Sequence, residues 1–416
     1  MAALGTRAAA GRKVTFDRRI ASLLTGTAAA SLANSVAGLI ATRLLPPSER
    51  GLMVLALTVG TLVPILASLG TGTALRALLN SSEVDRRAVE GAYGAVTTLL
   101  LPATLILAPV VGLATLGRGT ASPPLLCAIG LSALAQLGLR QLMDLAYARG
   151  DFHSPPRWSA AAAALGLCLV LVVPLIHPTA TAVVIAQAAG SLVIAFPPLA
   201  RELRSSHRRS SGWNLGAGRA LLRLGIGALP WTLGIVFVLR VDRIILGQTS
   251  GMEAVAVYGL AATVSEVPRL AATAISQLAA HASSIQGGAR GLIRLYIQAT
   301  ALVVVAGALV WVGALWATVP LFGRAYAQAP SLVSLLVVGE VGYGLFLMSS
   351  MALMGRGRVA WPSTLCCAAS LVSIPLYYFL TASSGPAGAA TGSVILYWSM
   401  GAISTLVLWV HLKRGD

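Results

Sequence analysis

Long apolar runs constrain this chain more than any other feature of its sequence. Over its 416 residues, runs of mostly apolar residues follow one another with only short polar stretches between them, and only 10% of the residues are charged. A helix that crosses a bilayer needs about 20 apolar residues, and in lipid a run of that length satisfies its backbone only as a helix. The sequence therefore predicts an all-α integral membrane protein.

We count about twelve transmembrane spans, and the basic residues predict their orientation. Lys and Arg number 30 against 13 Asp and Glu, and most of the basic residues fall in alternate connections between spans. Because cytoplasmic connections carry the excess of Lys and Arg, we predict that both termini are cytoplasmic. The predicted spans are 20–43, 51–79, 88–112, 121–147, 158–177, 180–200, 219–247, 252–282, 290–316, 330–353, 357–381 and 386–411.

The longest polar stretch, which is rich in Ser, Gly and Arg, follows the sixth span and divides the chain into halves. Residues 51–59 (GLMVLALTV) and 256–264 (AVYGLAATV) are similar and lie at equivalent places in the two halves. A parallel repeat of six spans is a transporter architecture, so we expect two six-helix lobes around a central cavity. The predicted division is a basic N-terminus 1–19, an N-lobe 20–200, a linker 201–218, a C-lobe 219–412 and a tail 413–416.

Four segments resemble the polysaccharide and O-antigen flippases of the multidrug/oligosaccharidyl-lipid/polysaccharide exporter superfamily. Residues 42–51 (TRLLPPSERG) are similar to that family's "AR-LLGP-x-x-x-G" segment, and residues 69–78 (LGTGTALRAL) also resemble it. Pro230, followed by RVDRIILGQTS at 240–250 and AVYGLAATV, resembles its "P…DRIILG…GIYSLA" pattern. The resemblance implies a transporter that flips a polyprenyl-diphosphate-linked oligosaccharide to the outer leaflet of the cell membrane by alternating access.

Polar residues inside the spans are the candidate functional residues, because a charge at the centre of a span costs about 2.5–3.5 kcal/mol on insertion scales. In the fourth span Gln136, Arg140 and Asp144 share one helix face. Arg140 would there meet an anionic headgroup or pair with Asp144. In the eighth span Glu266, Arg269 and Gln277 share a face, which either binds the diphosphate and couples ions or makes structural contacts between helices.

The remaining candidates lie near span ends or alone within a span. Arg240, Asp242 and Arg243 end the seventh span, where basic side chains either bind ligand or extend to water. Arginine suits a diphosphate because it stays charged and offers a planar fork to phosphate. The candidate substrate contacts are Arg269, Arg140, Arg240, Arg243, Arg76, Arg43, Asn34 and Gln277, and the candidates for ion coupling are Glu266, Glu340, Asp144 and Asp242.

Two other functions remain open at this stage. A cation-coupled multidrug exporter of the same superfamily should carry mainly acidic residues in its cavity, whereas basic residues are at least as prominent in these spans. A membrane glycosyltransferase or polymer ligase should carry catalytic groups on a large outer loop, and the predicted outer loops are short. We therefore predict no enzyme activity and no cofactor, with coupling to protons or sodium. The expected partners are the lipid-linked glycan and membrane lipid, with a polymerase and glycosyltransferases of the same pathway, and no nucleic acid.

Overall fold

The computed structural model describes residues 18–80, 85–117, 119–209, 214–284 and 289–414, and nearly all of them are helical. The helices are α1 (Arg18–Leu44), α2 (Pro47–Ala67), α3 (Thr71–Leu79), α4 (Arg86–Leu116), α5 (Pro123–Ala148), α6 (Ser154–Ile176), α7 (Ala180–Arg209), α8 (Leu215–Val238), α9 (Val241–Ser265), α10 (Val267–Ser284), α11 (Ala289–Phe322), α12 (Ala329–Gly355) and α13 (Ala360–Arg414). The predicted basic N-terminus lies largely outside the described residues.

The helices account for the twelve predicted spans. Nine described segments are long and apolar enough to cross a membrane, and two of them run for 51 and 54 residues. Each of these two contains a glycine with non-helical backbone angles, Gly251 and Gly385, at which the chain reverses between two spans. If each of these two long segments is counted as two spans, the nine segments give eleven spans. Helix α1 is the twelfth.

Three of the spans consist of two helices separated by a break. The second span consists of α2 and α3, and Leu69 and Gly70 between them have φ values of 49° and 66°. The seventh and eighth spans meet within α9, so the seventh is α8 with the first part of α9, and the eighth is the rest of α9 with α10. Breaks expose backbone groups that only a protein interior or a water-filled cavity can satisfy, and the breaks in the seventh and eighth spans adjoin the cavity described below.

The helices form two lobes, the N-lobe (α1–α7) and the C-lobe (α8–α13). Within the N-lobe α6 packs on α1 and α7, and α5 packs on α7. Within the C-lobe α12 packs on α10, α11 and α13. Between the lobes α2 packs on α9, and α3 packs on α8. The polar stretch 201–218 is helical up to Arg209 and again from Leu215.

Apolar packing differs between the two ends of the bundle. We call the end that carries the first and last described residues the terminal end, and the opposite one the far end. At the far end one continuous cluster joins both lobes and includes Leu45, Leu116, Tyr258, Tyr326 and Ala389. Towards the terminal end the apolar residues form separate, smaller clusters, and one of these packs Leu221 of α8 against the N-lobe. The lobes are therefore closed against each other at the far end.

A backbone contact closes the far end further. A Cβ atom on Gly51, in the first turn of α2, would lie 1.9 Å from the carbonyl oxygen of Met252 in α9. Only glycine permits so close an approach. The outer surface of the bundle, in contrast, carries large apolar side chains, among them Trp316, Leu371 and Phe379, which are 80%, 73% and 70% exposed. Apolar exposure on this scale fits a surface that contacts lipid.

Candidate substrate cavity

A cavity of about 450 Å³ lies between the two lobes. Helices α1, α2, α5 and α7 of the N-lobe form one wall, and α9, α10 and the α8–α9 break form the other. The cavity ends at Gly38, Arg50 and Thr263, next to the far-end cluster. Because the lobes are packed together beyond these residues, the cavity is closed at the far end.

Helix breaks position the charged residues of the C-lobe wall. Arg240 lies in the break between α8 and α9, with φ −133° and ψ −20°. Glu266 lies between α9 and α10, and Pro268 follows in the first turn of α10, where its missing N–H costs no helical hydrogen bond. Both breaks turn their charged side chains towards the same space, and both residues line the cavity.

Glu266 is the centre of an arginine cluster. Its Oε1 atom lies 2.8 Å from Arg243 Nη2, 3.4 Å from Arg240 Nη1 and 3.8 Å from Arg269 Nη1. All three arginines line the cavity. The predicted shared face of Glu266 and Arg269 is therefore observed, and Arg240 and Arg243 from the preceding span join it.

Arg269 has a second carboxylate partner that lies behind the cavity wall. Its Nε atom donates to Glu340 Oε2 at 2.8 Å, and its Nη2 atom donates to Glu340 Oε1. Glu340, in α12, is 3% exposed. The guanidinium also lies 4.8 Å from the ring centre of Tyr343. The fork geometry of this pair fixes the direction in which Arg269 enters the cavity.

Asp242 supports the cluster from within the C-lobe. It is 3% exposed, and Tyr258 donates to its Oδ2 atom at 2.5 Å. The backbone N–H of Arg243 donates to its Oδ1 atom at 2.7 Å. Ser393 lies 3.2 Å from the Tyr258 hydroxyl and links it to α13. Asp242 does not line the cavity, so its contacts hold the first turn of α9 and with it Arg243.

Arg50 lines the cavity at its closed end, and the sequence analysis does not find it. The residue falls in what the sequence presents as an outer loop, but the structure places it in the first turn of α2, 2% exposed. Its Nε atom donates to Thr42 Oγ1 at 2.8 Å, and its Nη1 atom lies 3.9 Å from Met53 Sδ. Among the described residues no carboxylate pairs with Arg50.

The N-lobe wall is mainly neutral and polar. Its hydroxyl and amide groups lie on four helices and include the predicted Asn34. Apart from Arg50, the polar residues that line this wall are Ser31, Asn34, Ser35, Thr58, Thr61, Gln136 and Gln187. Hydroxyl and amide groups both donate and accept hydrogen bonds, as sugar hydroxyls also do.

Three further predicted contacts, Arg76, Arg140 and Arg43, do not line this cavity. Arg76 pairs with Asp144, and its guanidinium lies 5.1 Å from the ring centre of Tyr147. The predicted alternative in which Arg140 pairs with Asp144 is therefore wrong: Arg140 makes no ion pair with a described residue. Arg43 is exposed in the last turn of α1. The side chain of Gln277 lies outside the described part of the chain.

No group of His, Cys, Asp and Glu side chains within the described residues could hold a metal ion. The cavity has the composition of an anion site: three guanidinium groups line its C-lobe wall, and Arg50 lines its N-lobe wall among neutral hydrogen-bonding groups.

Sequence comparison gives the family. A profile for the family described as "Polysaccharide biosynthesis protein" matches residues 17–281, which is more than half of the chain. The chain belongs to this family. No curated protein sequence matches the chain. Of the charged residues in the cavity network, only Glu340 lies outside the matched region, so the arginine cluster falls within what the profile describes.

Solved structures show the fold that this member of the family adopts. The lipid II flippase MurJ in an inward closed conformation matches with a TM-score of 0.74 and 14% identity, over 94% of this chain and 87% of that chain. An inward-facing multidrug resistance MATE family transporter of the MOP superfamily matches with a TM-score of 0.72 and 16% identity, over 92% and 95%. An outward-facing MATE family transporter matches with a TM-score of 0.60 and 15% identity, over 95% of both chains.

These matches confirm the expected two-lobed helical fold. The chain is therefore a member of the polysaccharide biosynthesis family, and its multi-pass helical fold is similar to that of these solved structures.

Proposed function

We propose that this protein is a transporter that flips a polyprenyl-diphosphate-linked oligosaccharide from the cytoplasmic to the outer leaflet of the cell membrane. The observation that carries the proposal is the arginine cluster: Arg50, Arg240, Arg243 and Arg269 line the cavity, and Glu266 is the one acid among the lining residues. Guanidinium groups bind phosphate through paired hydrogen bonds. A cationic drug would meet four like charges here.

The neutral wall supports a sugar as the rest of the cargo. Asn34, Gln136 and Gln187 face the arginine cluster across the cavity. The diphosphate would contact the C-lobe wall while the first sugars contact the N-lobe wall. The prenyl chain would remain in the bilayer, beside the cavity opening.

The direction of transport rests on the predicted orientation. If the basic terminal end is cytoplasmic, the far-end cluster closes the cavity on the outer side, and such precursors would be loaded from the cytoplasm. Rocking of the two lobes would then open the far end. The inside-negative membrane potential favours outward movement of an anion. Glycosyltransferases that build the precursor and a polymerase that consumes it are the partners we propose.

We propose further that protons or sodium ions drive the return of the empty transporter. Glu266 and Glu340 are the candidate carriers, because both bind arginines of the cavity and the substrate would compete for those arginines. Transport that is undiminished after alanine substitution of both residues would exclude this coupling.

The test of the proposed function uses a strain that lacks the protein. We expect a polyprenyl-diphosphate oligosaccharide to accumulate in its membrane lipids and the matching surface polymer to disappear. The wild-type gene should reverse both effects, and a gene carrying Arg269→Ala should reverse neither, at equal protein level. Unchanged lipids, together with increased sensitivity to cationic drugs, would refute the proposal and favour a multidrug exporter.

A further inference from the structure

Glu266 differs from the other acids of the cluster because it faces the open cavity. Its side chain is 27% exposed, whereas Glu340 and Asp242 are each 3% exposed and lie behind the wall. Those two acids have further partners: Glu340 binds Arg269 through both oxygens, and Asp242 accepts from Tyr258. All ion pairs of Glu266 run from one oxygen, Oε1, to arginines that line the cavity.

The position of Oε1 is one that a ligand phosphate oxygen could take. Three guanidinium groups converge on it within 3.8 Å. Without a negative charge at this point, the three cations would repel one another at close range. A carboxylate can supply that charge, and so can a phosphate, which offers more oxygen acceptors to the same donors. Glu266 and a ligand phosphate therefore compete for one place.

Competition makes the charge of the headgroup decisive. A singly charged phosphodiester would replace one negative charge by another and would also lose its hydration. Its net binding free energy would therefore be small. A diphosphate diester brings a second charge, and the structure holds an unused partner for it. Arg50 is 2% exposed, lines the same cavity and pairs with no carboxylate among the described residues. The Nε atom of Arg243 is buried without a hydrogen-bond partner.

We infer that Glu266 occupies a phosphate position in the empty cavity, and that Glu266 and Arg50 together make the transporter select headgroups with two negative charges. This selection rests on the proposed function, since it describes how the same cavity discriminates. Sugars linked to the carrier through a diphosphate would displace Glu266 and engage Arg50. Sugars linked to the carrier through a single phosphodiester would neither displace Glu266 nor engage Arg50.

The test is direct binding to the purified full-length protein in lipid nanodiscs. The probes are two soluble ten-carbon prenyl analogues that carry the same sugar, one through a diphosphate and one through a monophosphate. The variants are Glu266→Gln and Arg50→Gln. The matched control is Glu90→Gln, which removes a carboxylate that binds Arg149 outside the cavity lining.

Wild type and the Glu90→Gln control should bind the diphosphate analogue much more tightly than the monophosphate analogue. Glu266→Gln should raise the affinity for the monophosphate analogue about tenfold, because it removes the internal competitor. It should therefore reduce the ratio of the diphosphate affinity to the monophosphate affinity. Arg50→Gln should lower the affinity for the diphosphate analogue about tenfold, the loss of one charge-assisted contact, and should leave the monophosphate analogue unaffected.

If wild type binds the diphosphate analogue more tightly and Glu266→Gln shows the same ratio of the two affinities, the inference would be overturned. The proposed function would not be affected by that result. If Glu266→Gln does not fold, the Arg50→Gln variant provides the test. An equal loss of affinity for both analogues in that variant would overturn the inference. Binding of neither analogue by wild type would overturn the proposed function as well.

Discussion

The two walls of the cavity are built on different principles. The C-lobe wall is a charged network in which each arginine has a carboxylate partner, and two of the carboxylates lie behind the surface. The N-lobe wall offers neutral hydroxyl and amide groups and one arginine, Arg50, which pairs with no carboxylate of the described residues. A fixed network suits a ligand group of known charge, whereas neutral groups tolerate variation in the sugar. The difference predicts that mutations in the two walls have different consequences.

The largest effect should follow the loss of Arg269. Arg269→Ala leaves Glu340 buried without its partner, which costs about 3–5 kcal/mol of folding stability. Flipping should be abolished. The double variant Arg269→Gln with Glu340→Gln should recover thermal stability but not transport, because the buried charge is gone while the phosphate contact is still missing. Recovery of both would mean that Arg269 has only a structural role.

A smaller effect is expected where the C-lobe wall is supported from behind. Tyr258→Phe removes the hydroxyl that donates to Asp242 at 2.5 Å. A buried acceptor without its donor costs about 1–3 kcal/mol, so the unfolding temperature should fall. Transport measured well below that temperature should persist, because Tyr258 does not line the cavity. Loss of transport in a folded protein would show that Asp242 does more than hold α9.

Substitutions in the N-lobe wall should act on the sugar. Gln136→Ala should weaken binding of the lipid-linked glycan by about 0.5–1.5 kcal/mol, the net value of one neutral hydrogen bond. It should not change binding of a prenyl diphosphate that lacks sugar, and comparing the two ligands is the measurement. If Gln136→Ala weakened the binding of both ligands equally, the N-lobe wall would not be specific for the sugar.

The smallest effect should follow the loss of the Arg76–Asp144 pair. The Arg76 side chain is 46% exposed, and exposed ion pairs contribute about 0–1 kcal/mol. Arg76→Gln should therefore change the unfolding temperature and the transport rate little. Arg43→Gln, at the exposed end of α1, is the matched comparison. A large loss of transport in Arg76→Gln alone would extend the functional site towards the terminal end.

Much of the fold could be predicted from the sequence because span length and hydropathy are local properties. The helical spacing of Glu266 and Arg269 predicts that their side chains lie close together, and their charged atoms are 3.8 Å apart although Glu266 lies in the break between α9 and α10. The breaks at Leu69–Gly70 and at Arg240 depend on packing between lobes, and no local signal marked them.

The failures concern partners that are distant in sequence. The sequence suggests Arg140, four residues away, as an ion-pair partner of Asp144, but the observed partner, Arg76, lies on another helix. Glu340 was considered only as an isolated acid, and its pairing with Arg269 joins α10 to α12. Arg50 follows two prolines and a serine, which indicates a loop, yet α2 begins at Pro47 and buries it. Proline in the first turn of a helix was the signal that could have found this residue.

The central claim is that the cavity carries a lipid-linked anion, and flipping in reconstituted vesicles tests it most directly. Purified protein in proteoliposomes should accelerate translocation of a polyprenyl-diphosphate oligosaccharide relative to protein-free vesicles. The stable double variant Arg269→Gln with Glu340→Gln should not accelerate it. No acceleration by wild type, with ion-driven accumulation of a cationic dye in the same vesicles, would contradict the account.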